Sequence, residues 1–230
     1  MIAPFLAQRL EQIAPKFWIS ALLALLFNIG GIAAFALWGR ALLSTLSAIN
    51  LLIMAILVLI NHEPISKKFI AVFMGVILIG FSAEIVGVNT GIIFGNYTYS
   101  SVLGLSLFGV PFIIGINWAM VVLGAYTLSQ LIVSSKFWPY HLNKSIVSIT
   151  LAAGLATLFD YLLEPVAMHL NFWQWEGNSI PLLNYISWFV VSFIAIVVLN
   201  KTKTEENKLA AIVLSAQSIF LVGITLMIRW

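Results

Sequence analysis

Three carboxyl groups placed where a membrane would have to bury them are the residues of this sequence that invite chemistry. Of its eight acidic residues, Glu84, Asp160 and Glu164 fall inside long apolar runs, and none of those runs contains a lysine or arginine. Taking an isolated charge out of water is costly, so an acid in such surroundings is driven toward its neutral, protonated form. Asp160 and Glu164 are four residues apart, which stacks them on one face of a helix. Their mutual repulsion favours one shared proton over two charges. A carboxylic acid that keeps its proton near neutral pH is a general acid, and a carboxylate beside it is the base that such chemistry needs. The plainer reading is a set of buried acids that only tie helices together through hydrogen bonds. Ionisable groups inside a membrane are functional by default, and a functional role is preferred here.

The elements that position these residues have to be membrane spans. The chain of 230 residues is 62% hydrophobic and 8% charged, whereas a soluble domain carries about 25% charged residues. Apolar runs long enough to cross a hydrocarbon core of about 30 Å occupy roughly 17–38, 41–61, 69–88, 112–135, 145–168, 185–200 and 209–228. The expectation is an all-α fold, a polytopic transmembrane bundle of about seven spans forming a single domain over 1–230. Arg9 and Lys16, Lys67 and Lys68, Lys136 and Lys144, and Lys201, Lys203 and Lys208 fall in alternate connections, leaving only Arg40 and Arg229 for the other side. That distribution puts the N-terminus in the cytoplasm and the C-terminus outside. Residues 1–16 place Ile2, Phe5, Leu6, Leu10 and Ile13 at helical spacing against Gln8, Arg9, Glu11 and Gln12, as a short helix lying on the inner surface would. Ala34-Phe35-Ala36 imitates a signal-peptide cleavage site, but the preceding apolar stretch is long for one, and an uncleaved first helix is preferred.

Counted from cytoplasmic starts at 69 and 145, Glu84 and Asp160 are each fifteen residues along, about 22 Å at ~1.5 Å per residue, and Glu164 about 28 Å. All three then share a depth toward the outer leaflet. The outer connections 89–111 and 169–184 contain no lysine or arginine and are rich in glycine, aromatic and small polar residues. They read as re-entrant or interfacial segments, which at membrane depth line a protein-enclosed space; aromatic belts are the bland alternative. The two also resemble each other. Glu84 is followed by Tyr97-Thr98-Tyr99, Pro111 and Trp118, and Glu164 by Trp173-Gln174-Trp175, Pro181 and Trp188. Both Pro-to-Trp intervals are seven residues, so 84–118 and 164–188 read as a diverged parallel repeat with a site where the halves meet.

Other chemistry is thin. The chain has no cysteine, which excludes disulfides, thiolate metal sites and cysteine nucleophiles. His62, His141 and His169 share no ligand spacing and read as single surface histidines in loops, so no metal site is expected. Gly87, Gly91 and Gly95 recur every fourth residue, a pattern for close helix packing or for a flat ligand against bare backbone, with packing preferred. Nothing in the charge pattern points to nucleic acid.

The run from Glu84 to Trp188 resembles the CruF-like carotenoid hydratase family. The resemblance rests on Glu84, Gly87, Thr90-Gly91, Phe94-Gly95, Tyr97 and Tyr99, then Gly109-Val110-Pro111 and Trp118. It continues through Asp160, Pro165, Trp173, Trp175, Pro181, Asn184 and Trp188. Against that pattern Glu164 stands where a shorter acid is usual before the proline, Ser179-Ile180 precede Pro181 where Gly-Val is usual, and Ser187 stands where glycine commonly precedes the tryptophan. The resemblance implies a multi-pass enzyme of the cell membrane, working in the bilayer without a cofactor, with other carotenoid biosynthesis enzymes as partners. Its reaction would add water to the terminal isoprenoid double bond of an acyclic carotenoid end, as in lycopene or γ-carotene, giving a tertiary alcohol. Protonating that alkene makes a tertiary carbocation, which calls for a neutral acid, aromatic faces and one admitted water. On this reading Asp160 and Glu164 share the delivered proton, and Glu84 or the second carboxylate orients the water and takes its proton. Tyr97, Tyr99, Trp118, Trp173, Trp175 and Trp188 form the aromatic wall, and Asn117 and Asn184 hold the water.

Competing readings are a carotenoid end-group cyclase or isomerase, which passes through the same protonated end, and a proton-coupled transporter using the three carboxylates. The transporter ranks lower because such acids sit near the midplane beside broken helices. A seven-helix retinal protein would need a lysine inside a span, and no run contains one. A scaffold for other membrane enzymes leaves the clustered acids without a purpose.

Overall fold

The computed structural model describes residues 15–135 and 143–228. Residues 1–14 of the surface helix expected over 1–16, together with His141 and Lys136, lie outside the described residues. Seven helices are each long and apolar enough to cross a bilayer: α1 Pro15–Trp38, α2 Arg40–Ile60, α3 Lys67–Thr90, α4 Phe112–Val133, α5 Lys144–His169, α6 Leu182–Lys201 and α7 Lys208–Ile228. The spans read from the apolar runs are these helices to within a few residues. The sixth begins earlier than the apolar run at 185, directly after Pro181.

Local sequence sets the ends. Ser66 caps α3, its Oγ accepting from the Phe69 N–H at 3.0 Å, and Asn143 caps α5 by accepting from Ser145 and Ile146, so orphan amides of both first turns are satisfied. At the other end of α3, Gly91 takes the left-handed conformation at φ 67° and closes the last turn onto the Gly87 carbonyl, a geometry that strongly favours glycine. Pro111 and Pro181 precede α4 and α6 in extended conformation, a position that asks for no amide hydrogen bond.

The bundle is built around α4. This helix is buried nearly all round, as one without a polar stripe should be, and α3, α5 and α7 pack on it. The other six turn large apolar side chains outward: Leu22, Leu26, Leu78 and Leu158 are all more than half exposed, as a lipid-facing surface requires. Lys16, Lys67, Lys68, Lys144, Lys201, Lys203 and Lys208 flank the helix ends that meet at one side of the bundle, where Lys16 pairs with Glu63.

At the opposite end the two long connections fold over the helices. Strand β1 (Tyr97–Tyr99) is followed by a 3-10 turn (Ser101–Leu103), β2 (Ser106–Leu107) and β3 (Val110–Pro111); β4 (Trp173–Trp175) belongs to the second connection. β2 pairs with β3, and β1 pairs antiparallel with β4, placing Tyr97 opposite Trp175 and Tyr99 opposite Trp173. The Gly87, Gly91 and Gly95 ladder thus serves loop-to-helix rather than helix-to-helix packing. A Cβ on Gly87 would lie 2.5 Å from the Phe94 ring, and one on Gly95 2.7 Å from Pro181.

One expectation fails at the lysine-rich end. His62 is not a surface histidine: it is 2% exposed, stacked on Phe69 with ring centroids 3.4 Å apart, and faces Asn207 across 3.5 Å. Asn207 in turn donates to the Val58 carbonyl at 2.9 Å, so the start of α7 folds over the end of α2. Sequence spacing carries no trace of that contact. His169 is partly buried and meets Phe35 edge-on.

Candidate active site

Glu84 comes from α3, Asp160 and Glu164 from α5, and all three line one cavity under the paired strands. The four-residue spacing stacks Asp160 and Glu164 as expected, and a single amide ties them. Asn184, from the first turn of α6, donates to Asp160 Oδ2 at 2.7 Å and reaches Glu164 Oε1 at 3.4 Å. The acids are 4%, 1% and 2% exposed respectively, and no basic side chain lines the cavity.

The strand residues hold the two glutamates in matched ways. Glu84 Oε2 accepts from the Tyr97 and Tyr99 hydroxyls at 2.5 and 2.8 Å, while Glu164 Oε2 accepts from the Trp173 and Trp175 indole N–H groups at 3.0 and 2.7 Å. Alternate residues of a strand point the same way, which is why Tyr-x-Tyr and Trp-x-Trp each deliver two donors to one carboxylate. The antiparallel pairing then brings both glutamates under the same two-stranded ribbon. Burial, and then the adjacent Glu84, push the Tyr97 and Tyr99 phenols well above the ordinary tyrosine range, so both stay as O–H donors.

Trp118 donates to Glu84 Oε1 at 2.8 Å and stacks on Trp188 with ring centroids 3.8 Å apart and planes 13° off parallel. Sequence reasoning missed what admits Trp118: a Cβ on Gly80, one turn before Glu84, would lie 2.3 Å from the Trp118 ring. It also missed the difference between the units. The position four before Glu84 is Gly80, but four before Glu164 it is Asp160; three after Pro111 stands Ile114, but three after Pro181 stands Asn184. Only the second unit carries the Asp–Asn pair. That signal was readable by extending the alignment one turn upstream.

The cavity has about 20 Å³ of free space, room for one or two waters on the criterion of about 10–15 Å³ each. Asp160, Glu164, Glu84, Tyr97, Tyr99, Trp118, Trp173, Trp175, Trp188, Asn117 and Asn184 all line it, joined by Phe94, Ile114 and Leu163, which the sequence did not single out. Glu84 and Glu164 each accept from three donors. Asp160 accepts from Asn184 alone among the described residues, leaving it the acid freest to offer a proton to the cavity.

Fold and site together define a multi-pass membrane protein whose acids converge on a small aromatic-walled chamber inside the bundle. The comparisons place it more closely. The family described as carotenoid biosynthesis protein matches residues 39–229, and the chain belongs to that family, which bears out the resemblance seen in its motifs. It is also 31% identical over 129 residues to a bisanhydrobacterioruberin hydratase of Haloarcula japonica. That match covers 54% of this chain and 42% of the relative, so the chain spans less than half of that protein. No solved structure matches it.

Proposed function

We propose that this protein is a carotenoid hydratase, adding water to the terminal isoprenoid double bond of an acyclic carotenoid end group. The observation that carries the reading is the convergence of three otherwise unneutralised carboxyls on one water-sized cavity. The similarity to a hydratase supports the reaction class. Units 84–118 and 164–188 act as two halves of a single site, the second supplying the acid.

Asp160 gives its proton to the less substituted alkene carbon, and the positive charge develops on the tertiary carbon. The ring faces of Trp118, Trp188, Trp173 and Trp175 stabilise it, as a cation near an aromatic face is stabilised by about 1–2 kcal/mol per ring when desolvated. Water, held by Asn117 and Asn184, closes on the cation through its oxygen. Its surplus proton passes to Glu164, four residues from Asp160, and returns to Asp160 for the next turnover. Glu84, fixed by three donors, orients the water or takes the proton in its place. Product and substrate differ by one water, and no redox step is involved.

Expression in a host that accumulates lycopene tests this directly. A pigment heavier by one water is expected. A new pigment of unchanged mass refutes hydration and identifies a cyclase or isomerase.

A further inference from the structure

The chamber that holds the acids has room for little beyond the reacting end and its water, so the rest of the polyene has to lie elsewhere. We infer that the apolar polyene enters sideways from the bilayer between α1 and α2 and threads a continuous passage to the acids, a deduction that rests on the hydratase reading for its substrate.

Three cavities make up the passage. The acid chamber shares Ile114, Asn117, Leu163 and Trp173 with a second cavity of about 80 Å³. That cavity shares Asn28, Ser47, Asn50 and Phe220 with a third of about 300 Å³ between α1 and α2. Each boundary is formed by side chains common to both neighbours, so the three adjoin. No lysine, arginine or acid lines the second or third. The third is a groove bordered by Leu26, Phe27, Leu46 and Ile49, which are 59%, 46%, 46% and 56% exposed. On a spanning helix pair those side chains face lipid, where a carotenoid is dissolved. The groove runs from Leu26 to Ala34 on α1 and from Leu42 to Ile53 on α2, about 12 and 16 Å of helix. It lies on the strand-covered half of the bundle, at the depth of the acids.

The neck between the outer two cavities has polar side chains, two of which donate to carbonyls of their own helix. Asn28 donates to the Ala24 carbonyl at 2.8 Å and Ser47 to the Leu43 carbonyl at 2.7 Å. Asn50 Oδ1 is buried without a partner among the described residues.

The test plugs the groove. A Cβ on Gly30 meets no atom within 4 Å, so Gly30→Phe fills open space instead of displacing the packing. Wild type and variant in lipid nanodiscs are assayed with lycopene and with dihydromyrcene, a short acyclic hydrocarbon with the same trisubstituted terminal alkene. Lycopene hydration should fall about 100-fold, the scale of a misplaced reactive end, because its chain has to lie in the groove while its end reacts; dihydromyrcene only has to pass the groove and should lose less. Undiminished lycopene turnover overturns the passage. Equal loss with both substrates supports the passage where the variant melts as wild type does, because entry is then closed to both, and overturns it where the melting temperature falls, because the substitution then acts on the fold. Lycopene quenching of tryptophan emission supplies a second readout: quenching weaker in Gly30→Phe than in wild type supports the passage even if neither hydrocarbon gains water, an outcome that sinks only the hydratase reading.

Discussion

At the scale of single residues, the donors around each carboxyl decide what a substitution does. Asp160→Asn removes the proton to be delivered while keeping shape; general acid catalysis contributes about 10²–10⁴-fold, and product should fall by that factor with expression intact. Full activity measured by pigment chromatography would show that the proton comes from elsewhere. Glutamine at the two glutamates should behave differently. At Glu84 a new NH₂ can face Tyr97 and Tyr99, whose hydroxyl oxygens also accept, so Glu84→Gln keeps its fold while losing product. At Glu164 the donors are two indole N–H groups and an amide N–H. An NH₂ at Oε2 would face two N–H groups, so it has to take the Oε1 position, where it meets the Asn184 N–H and displaces it. Glu164→Gln should therefore lower thermal stability more than Glu84→Gln, by the ~1–3 kcal/mol of an unsatisfied buried group, as differential melting in detergent will measure.

At the scale of elements, the site depends on how closely α3 and α4 approach. Gly80→Ala drives a methyl into the Trp118 ring. Overpacking of this kind costs about 1–3 kcal/mol, and the displaced indole gives up its bond to Glu84. Gly75→Ala on the same helix meets nothing within 4 Å and should be neutral or slightly stabilising, since alanine is the better helix former by about 1 kcal/mol. Melting temperatures of the pair separate local crowding from helix propensity. The strands are the other positioning element: β1 and β4 come from connections more than seventy residues apart, yet their register alone sets which aromatic faces which glutamate.

For the molecule as a whole, the lysine-rich end carries a pH-sensitive contact remote from the site. Burial lowers the His62 pKa below its ordinary 6.5, with Glu205 opposing. The folded state then holds fewer protons on this ring than the unfolded state, so its contribution is complete above pH 6.5 and is lost as pH falls below it. Unfolding midpoints should drop on going from pH 7 to pH 5, and His62→Gln should flatten that slope. A slope unchanged by the substitution would assign the effect to other groups.

The seven spans, their alternating charge and the three buried acids were legible in the sequence because each is a property of composition along one helix. Hydrocarbon thickness fixes span length, and a missing lysine or arginine is visible without any neighbour. The Tyr-x-Tyr and Trp-x-Trp pairs were legible as candidates too, through the internal repeat and the family motif, although their forming strands was not. What only the tertiary structure decided were contacts between segments far apart: β1 on β4, Asn184 across two acids, Trp118 seated on Gly80, His62 under Asn207, and the groove between α1 and α2. In lipid every outward face is apolar, so hydrophobic pattern no longer distinguishes a buried side from an exposed one, and helix partners are chosen by shape and hydrogen bonding that no linear spacing records.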